Sequence, residues 1–297
     1  MLVLLERDEM RYRLPPTQTD DTTGAATVAT PRYEEIAEGL AARIATGNEF
    51  PAGSTLPSYQ DLAADNSVSK ATIEKAVGLL EAWGLVRAVK KGGLRVRHPG
   101  ARRTVGTSID RHPSRGYVLP AATSATEPWQ AHGRTQVATL PLPDRVAQHL
   151  GVPSRSETVR RRMVTSPAGE GPYQVSDDWV HPDLLAQLPQ LGEQLVGPGG
   201  VADHIEQAGH GPLSWRRHTR SRPPHTDEAQ LLEIPKALWI MEMIYVAVSA
   251  STSQPVAATV RVAPADRVEL IDTMRRTPAA RWPVTPIEPP SEAIAAG

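Results

Sequence analysis

The chain has 297 residues, a formal net charge of -1 and no cysteine. This length suits two domains, each able to bury its own core. The lack of cysteine excludes disulfides, thiolate zinc sites and cysteine nucleophiles, and it fits a reducing, cytoplasmic setting. The N-terminal sequence has only a short apolar run, so it predicts neither a secretory signal nor a membrane span.

The two ends of the chain differ in composition from the rest. Residues 1–30 are rich in Thr, Ala and Asp without apolar periodicity, which predicts a disordered arm. Residues 281–297 contain four prolines and predict a disordered tail. A Pro/Gly/Arg-rich stretch at 99–115 predicts a linker, and its first part, 99–108, is a candidate hinge.

Three helices are predicted after the arm. Apolar residues repeat every four positions from Ile36 to Ile44, which is typical of an amphipathic helix. Ser58 and Asp61 have capping-box spacing and predict the start of a short second helix. Ser69 is a good N-cap for a third helix. The tight turn between the second and third helices predicts a helix-turn-helix.

A basic hairpin follows the third helix. The sequence AVKKGGLRVR at 88–97 alternates apolar and basic residues on both sides of a glycine turn, which predicts two short strands. Residues 31–98 therefore predict a winged helix-turn-helix. Between Ser69 and Arg103 there are nine basic and two acidic residues, a local charge of +7 in a nearly neutral chain.

Residues 116–280 alternate β-like and helical segments. The runs at 157–164 and 173–180 flank a Pro/Gly turn, and a second such pair of runs lies near 238–262. This pattern predicts an antiparallel sheet with helices, so the expected fold is a two-domain α+β protein.

The predicted DNA-binding segment resembles a known family. LPSYQDLAADNSVSKATIEKAVGLLEAWGLV looks like the DNA-binding domain of the GntR family of bacterial transcription regulators, with the resemblance spanning 33–96. It implies a winged helix-turn-helix that binds an operator in double-stranded DNA, as a homodimer and most often as a repressor. The implied DNA contacts are Ser58, Gln60, Ser69, Lys70, Thr72, Glu74, Lys90, Lys91 and Gly92.

Several positions depart from that family's usual pattern. Gln60 and Glu74 replace arginines, Lys70 replaces another, and Lys91 replaces a wing glycine. Arginine pairs with guanine, whereas Glu accepts from cytosine and Gln suits adenine, so we expect an operator unlike the commonest one. Glu74 has an equally good alternative explanation, which is screening of Lys70 one helical turn away.

The second domain resembles the UTRA effector-binding domain of the HutC subfamily, whose fold is similar to chorismate lyase. The resemblance lies in LGVP at 150–153, HPDLL at 181–185, the run at 222–235 and QPVAATVRVAPADR at 254–267. Members that bind amino-sugar phosphates often carry a glutamate and a tyrosine where this chain has Ala257 and Ala263. These two differences argue against such a ligand.

Candidate effector-binding residues lie on the first predicted hairpin of this domain. Arg160 and Arg162 share one face of a strand, and Ser176 and Asp178 share a face of its partner. An inward arginine could hold a phosphate or carboxylate. The alternative is an outward arginine pair on an exposed sheet face, which is the commoner arrangement.

The expected function is that of a ligand-responsive, cytoplasmic transcription repressor. Two alternatives stay open: an effector-independent autoregulatory repressor, and a lyase-like enzyme suggested by the fold of the second domain. The sequence offers no nucleophile with a nearby base, no metal-binding signature among its nine histidines and no cofactor fingerprint, so we expect neither an enzyme nor a cofactor.

Overall fold

The computed structural model describes residues 30–89, 92–97, 102–112, 116–120, 128–194, 196, 199–280 and 282. The predicted arm and tail therefore lie almost entirely outside the described residues. Lys90 and Lys91 also lie outside them.

The N-terminal domain contains the three predicted helices and the hairpin. They are α1 (Arg32–Thr46), α2 (Tyr59–Asp65), α3 (Lys70–Ala82), β1 (Val86–Val89) and β2 (Gly93–Val96). One apolar core joins all five elements, with side chains such as Leu40, Leu62, Ile73, Val86 and Leu94 almost fully buried. The winged helix-turn-helix predicted from periodicity is confirmed.

The predicted linker, 99–115, contains two short strands, β3 (Arg103–Val105) and β4 (Asp110–His112), and a third, β5 (Gly116–Val118), follows it. β4 pairs antiparallel with β5, and β3 pairs in parallel with β13 (Val268–Leu270). Both linker strands are therefore paired with strands of the second domain.

A seven-stranded antiparallel sheet forms the centre of the C-terminal domain. Its strand order is β10-β11-β12-β9-β8, and both β6 and β7 pair with β8 beyond that edge. The strands are β6 (Trp129–Ala131), β7 (Gln136–Pro141), β8 (Glu157–Pro167), β9 (Gln174–Val180), β10 (Ser214–Arg222), β11 (Ile240–Val248) and β12 (Pro255–Pro264). The α+β class and the predicted hairpin of β8 and β9 are confirmed.

Short helices cover both faces of this sheet. They are α4 (Asp144–Leu150), α5 (Pro182–Gln187), α6 (Gly200–Ile205) and α7 (Thr226–Leu231), with 3-10 turns at Pro189–Gly192, Ala265–Arg267 and Pro278–Ala280 and a π turn at Glu206–His210. α4 and α7 pack on one face, and α5 and α6 on the other. Because β11 is covered on both faces, eight of its nine residues are buried.

The two domains touch through a buried ion pair. Arg97, at the end of the wing, donates to the Gly84 carbonyl at 2.6 Å and to the Asp266 carboxylate at 3.1 Å. The two charged side chains are 5% and 13% exposed. Gly84 has a φ of +73°, and a Cβ there would lie 2.5 Å from the Arg97 guanidinium, so glycine permits this approach.

We expect Asp266→Ala to destabilise the protein by about 2 kcal/mol or more, because it leaves a buried guanidinium without its counter-charge. The melting temperature should fall by about 5 °C in calorimetry. Glu35→Ala, which breaks the exposed Arg32–Glu35 pair on α1, is the matched control and should cost less than about 0.5 kcal/mol. Equal effects of the two substitutions would contradict a structural role for the Arg97–Asp266 contact.

Candidate DNA-binding surface and effector cavity

The first turn of α3 is organised by a serine cap. The Ser69 hydroxyl accepts a hydrogen bond from the Thr72 amide at 3.2 Å and lies 2.9 Å from the Thr72 hydroxyl. Ser58 caps α2 in the same way, through a reciprocal capping box with Asp61. Both serines are exposed, and Thr72 is half-buried. The caps fix where each helix begins, and so they fix which side chains project from its first turn.

The remaining predicted contacts on the helices face solvent. Gln60, Lys70 and Glu74 are all exposed. The Lys70 ammonium lies 3.5 Å from the Glu74 carboxylate, and both side chains are more than half exposed. An exposed pair of this kind contributes little free energy, so Lys70 can exchange it for a phosphate.

Arg95 on the wing is an exposed basic residue that was not among the predicted DNA contacts. Arg87 and Arg95 lie directly opposite each other on β1 and β2. Like charges in that position repel each other, and Arg87 is compensated by an ion pair with Glu233 at 3.0 Å. Arg95 stays exposed, and Gly92 at the tip of the wing is half-buried. The alternation of apolar and basic residues in 88–97 is the sequence pattern that indicates an exposed side chain at Arg95.

Part of the local positive charge faces the second domain. Arg103 lies 2.6 Å from the Glu170 carboxylate. Together with Arg87 and Arg97, three of the nine basic residues counted from Ser69 to Arg103 therefore pair with acids of the C-terminal domain. The charge available to a duplex is smaller than the sequence count of +7 implies.

The C-terminal domain contains a partly open cavity of about 600 Å³ between the sheet and α6. Residues 116–120, which we call the strap, form part of its wall through Tyr117 and Leu119. The strap is held against α6: Tyr117 donates to Glu206 at 2.9 Å, and Gly116 approaches Gly199 too closely for any Cβ. Much of the remaining lining is apolar or aromatic, including Met163, Val196, Ile205, Leu213, Trp215 and Tyr245.

Strand register determines the polar groups of this cavity. Asp178 lies opposite Arg161 on one side and Thr259 on the other, and Ser176 lies opposite Arg261. Opposite residues of antiparallel strands share a face, so these five side chains point to one side of the sheet. All five line the cavity. Ser176 and Asp178 thus both line the cavity, and their contact with an effector stays a prediction.

Arg160 and Arg162 are on the other face, and this corrects the sequence prediction. They lie opposite Trp179 and Asp177, away from the cavity. Arg162 donates to Asp177 through two bonds of 2.7 Å, and these hydrogen bonds raise the pKa of Arg162. Asp227 accepts a further bond from Arg162 at 2.6 Å. Side-chain alternation predicted that the two arginines share a face, but it could not say which face meets the cavity.

The arginines that do line the cavity are Arg161 and Arg261. Arg161 donates to the carbonyls of Glu193 and Gln194. Arg261 donates to the carbonyl of Leu119 at 3.0 Å and to that of Pro120 at 3.0 Å. Burial lowers the pKa of both guanidinium groups. Arg161 lies between the two arginines selected from the sequence, and Arg261 lies in the matched run at 254–267.

The cavity also contains one carboxyl group. Asp178 accepts a hydrogen bond from the Thr259 hydroxyl at 2.7 Å. Burial raises the pKa of this carboxyl, and the bond from Thr259 opposes the rise. The side chain can therefore accept or share a proton with a polar ligand group.

The described residues contain neither a candidate metal centre nor a candidate membrane-spanning helix. No three histidine, aspartate or glutamate side chains there form a group that could hold a metal ion. No helix in that part of the chain is both long enough and apolar enough to cross a bilayer.

Comparison with known proteins identifies both domains. The profile of bacterial regulatory proteins of the gntR family matches residues 32–96, and that of the UTRA domain matches residues 135–269. An uncharacterized HTH-type transcriptional regulator of Streptomyces coelicolor is 25% identical over 225 residues, which cover 72% of this chain and 81% of that protein.

Solved structures that match this chain include PhnF from Mycobacterium smegmatis, at 15% identity and a TM-score of 0.45, covering 82% of this chain and 100% of that one. A protein assigned to the GntR family of transcriptional regulators has 22% identity and a TM-score of 0.49, covering 84% of this chain and 99% of that one.

The matched domains are those of transcription regulators and not of enzymes, which removes the lyase-like alternative. GntR domains bind DNA and UTRA domains bind small-molecule effectors. The chain is thus a transcriptional regulator in which a GntR-family DNA-binding domain is joined to a UTRA domain.

Proposed function

We propose that this regulator is a repressor of the HutC subfamily that binds its operator as a homodimer and releases it when a small molecule occupies the cavity. The observation that carries the proposal is the Arg97–Asp266 contact, because it joins the DNA-binding domain to the domain that contains the cavity. A coupling of only about 1–3 kcal/mol between the two sites would change operator occupancy substantially. Its place of action would be the cytoplasm, with the chromosome.

The DNA-binding step would use the first turn of α3 and the wing. An α-helix fits the major groove, and a thin hairpin fits the adjacent backbone or minor groove. Ser58, Gln60, Ser69, Lys70, Thr72 and Glu74 would contact DNA from the helices, and Lys90, Lys91 and Gly92 from the wing. Two copies would place their recognition helices about one DNA turn apart, ~34 Å, on a two-fold operator.

The effector step would use Ser176 and Asp178 together with Arg161 and Arg261. The volume of about 600 Å³ suits a small metabolite. Ala257 lines the cavity, and Ala263 is buried in the core beside it. Neither position offers the carboxylate or hydroxyl that amino-sugar phosphate binders often have, which favours another ligand.

We expect Lys70→Ala to weaken binding to DNA from upstream of the protein's own gene by about fivefold at any sequence, because one phosphate contact is lost. The slope of log affinity against log salt should become shallower by about 1 in a titration followed by fluorescence anisotropy. Arg155→Ala, at an exposed arginine of the C-terminal domain, is the control and should leave both values alone. An unchanged salt slope in Lys70→Ala would remove this residue from the interface.

Glu74→Ala separates base reading from screening. We expect tighter binding to nonspecific DNA, because an acid near the phosphates is removed, and weaker discrimination between the operator and single-base variants. Selection from random duplexes, followed by sequencing, measures the preference at each position. If the selected motif stays the same, the role of Glu74 is limited to its ion pair with Lys70.

Ala257→Phe tests whether the cavity is the effector site. In a metabolite screen, a ligand at a hundred times its Kd should stabilise the wild-type protein by about 2.7 kcal/mol and raise its melting temperature by about 5 °C or more. The larger side chain should abolish this rise and leave operator binding intact. Ala131→Phe, at an exposed position on β6, is the control. A response that survives Ala257→Phe would place the effector elsewhere, and no response to any compound would favour an effector-independent repressor.

A further inference from the structure

We propose that the cavity binds a small molecule with a single anionic group, a carboxylate or a phosphate, on the unpaired edge of the Arg261 guanidinium. By fixing Arg261, this anion fastens the strap to the sheet. The inference rests on the proposed function, because it takes the cavity to be the effector site. It adds the chemical class of the ligand and the route by which occupancy reaches the linker.

The charges of the cavity require an anion. Three of its lining residues are charged: Arg161, Arg261 and Asp178. Two cations face one carboxyl group, and that carboxyl is hydrogen-bonded to Thr259 and not to either arginine. The site therefore has an excess of at least one positive charge, and burying such a charge costs free energy unless an anion compensates it.

Arg161 and Arg261 differ from most of the other buried arginines of this domain. Arg162, Arg222 and Arg267 each donate to a carboxylate. Arg161 and Arg261 donate to backbone carbonyls alone, with no acid in salt-bridge contact among the described residues. A neutral carbonyl is a weaker partner for a guanidinium than an anion is.

The unpaired edge of Arg261 is the one formed by Nε and Nη2. Nη1 makes both bonds to the strap, to the carbonyls of Leu119 and Pro120. Nε is buried and has no hydrogen-bond partner in the described part of the chain. Nε and Nη2 form the edge of the planar fork that binds carboxylates and phosphates with two parallel bonds. An anion on that edge would satisfy Nε and leave the bonds to the strap in place.

The surroundings of this edge suit an acid with an apolar body. The guanidinium lies over the Tyr245 ring, 5.5 Å from its centre. Met163, Trp215 and Leu119 supply apolar and aromatic surface in the same cavity. A small aromatic or branched acid matches both features, because its apolar part can bury against these walls while its anionic group meets Arg261.

The strap links this site to the linker. Besides Arg261, Tyr245 holds it by donating to the Pro120 carbonyl at 2.8 Å. Earlier in the chain, Arg111 on β4 pairs with Asp203 of α6, and Arg217 donates to the Gly106 carbonyl at 2.6 Å. Binding that steadies the strap therefore steadies a segment that continues to β3 and the wing. Linkage between the two is reciprocal. A change that loosens the strap must therefore lower the affinity for the anion by the same factor by which the anion stabilises the strap.

The test uses the full-length protein with three probes: benzoate, inorganic phosphate and benzamide. Benzamide has nearly the shape of benzoate without its charge. We expect benzoate or phosphate to raise the melting temperature and to slow amide hydrogen exchange over residues 116–120, and benzamide to do neither. Binding of benzoate alone would identify the anion as a carboxylate, and binding of phosphate alone as a phosphate.

Three variants locate the effect. Arg261→Gln should lower the affinity for the anion by about tenfold to a hundredfold, because a charge-assisted bidentate contact is lost. Arg160→Gln, on the opposite face of the same sheet, is the matched control and should bind like the wild type. Tyr245→Phe keeps the charge of the cavity but removes one hydrogen bond to the strap. It should lower the affinity for the anion by about twofold to fivefold and speed amide hydrogen exchange at 116–120.

Four outcomes would each overturn the proposal. Two concern the probes: equal stabilisation by benzamide and benzoate, or no binding by either anion at millimolar concentration. The other two are anion binding that survives Arg261→Gln, and faster amide exchange at 116–120 when the anion binds. Measuring operator binding with the same protein preparations distinguishes a failure of the anion proposal from a failure of the proposed function. If operator binding persists and a neutral compound acts through the cavity in a manner sensitive to Ala257→Phe, the repressor stands and the anion site does not.

Discussion

The antiparallel register of β8, β9, β12 and β11 determines which side chains share the cavity. Arg161, Asp178, Thr259 and Tyr245 occupy one row across these strands. A shift of one residue in any pair would move a whole set of side chains to the face covered by α4 and α7. The cavity chemistry is thus a consequence of pairing, and pairing in turn is held by the apolar side chains that both faces bury.

The second constraint is the way in which the chain between the domains is attached. β3 pairs with β13, Gly106 accepts from Arg217, and β5 forms the first part of the strap. A free linker would let the DNA-binding domain reorient without regard to the cavity. Here the wing end is held to the C-terminal domain by the Arg97–Asp266 pair, and the segment that follows the wing forms part of the cavity wall at Leu119, so the wing and the cavity are connected through the same domain.

The sequence allowed the helices and the main hairpin to be predicted, because their signals are local. Caps such as Ser58 and Ser69, and apolar repeats such as that from Ile36 to Ile44, lie within one helix. The short strands β3 and β4, within the predicted linker, were missed because each has only three residues and β3 pairs with residues far along the chain. No local pattern predicts such a partner.

The candidate site was predictable only in part for a related reason. Alternation showed that Arg160 and Arg162 share a face and that Ser176 and Asp178 share one, but it left the relation between the two faces open. The observed register places Asp178 opposite Arg161. Choosing between the faces required knowing where α6 and the strap lie, and that depends on tertiary packing.

The positive charge between Ser69 and Arg103 has two uses. Arg87, Arg97 and Arg103 pair with acids of the second domain, whereas Lys70 and Arg95 stay exposed. Residues of the first set cannot neutralise phosphates while those pairs persist. Any rearrangement that separated the DNA-binding domain from the second domain would release Arg87 and Arg97 toward solvent, and nonspecific attraction to DNA would rise with them. Under the proposed function, the two ion pairs would therefore limit nonspecific affinity and leave a larger share of operator binding to the contacts that read bases.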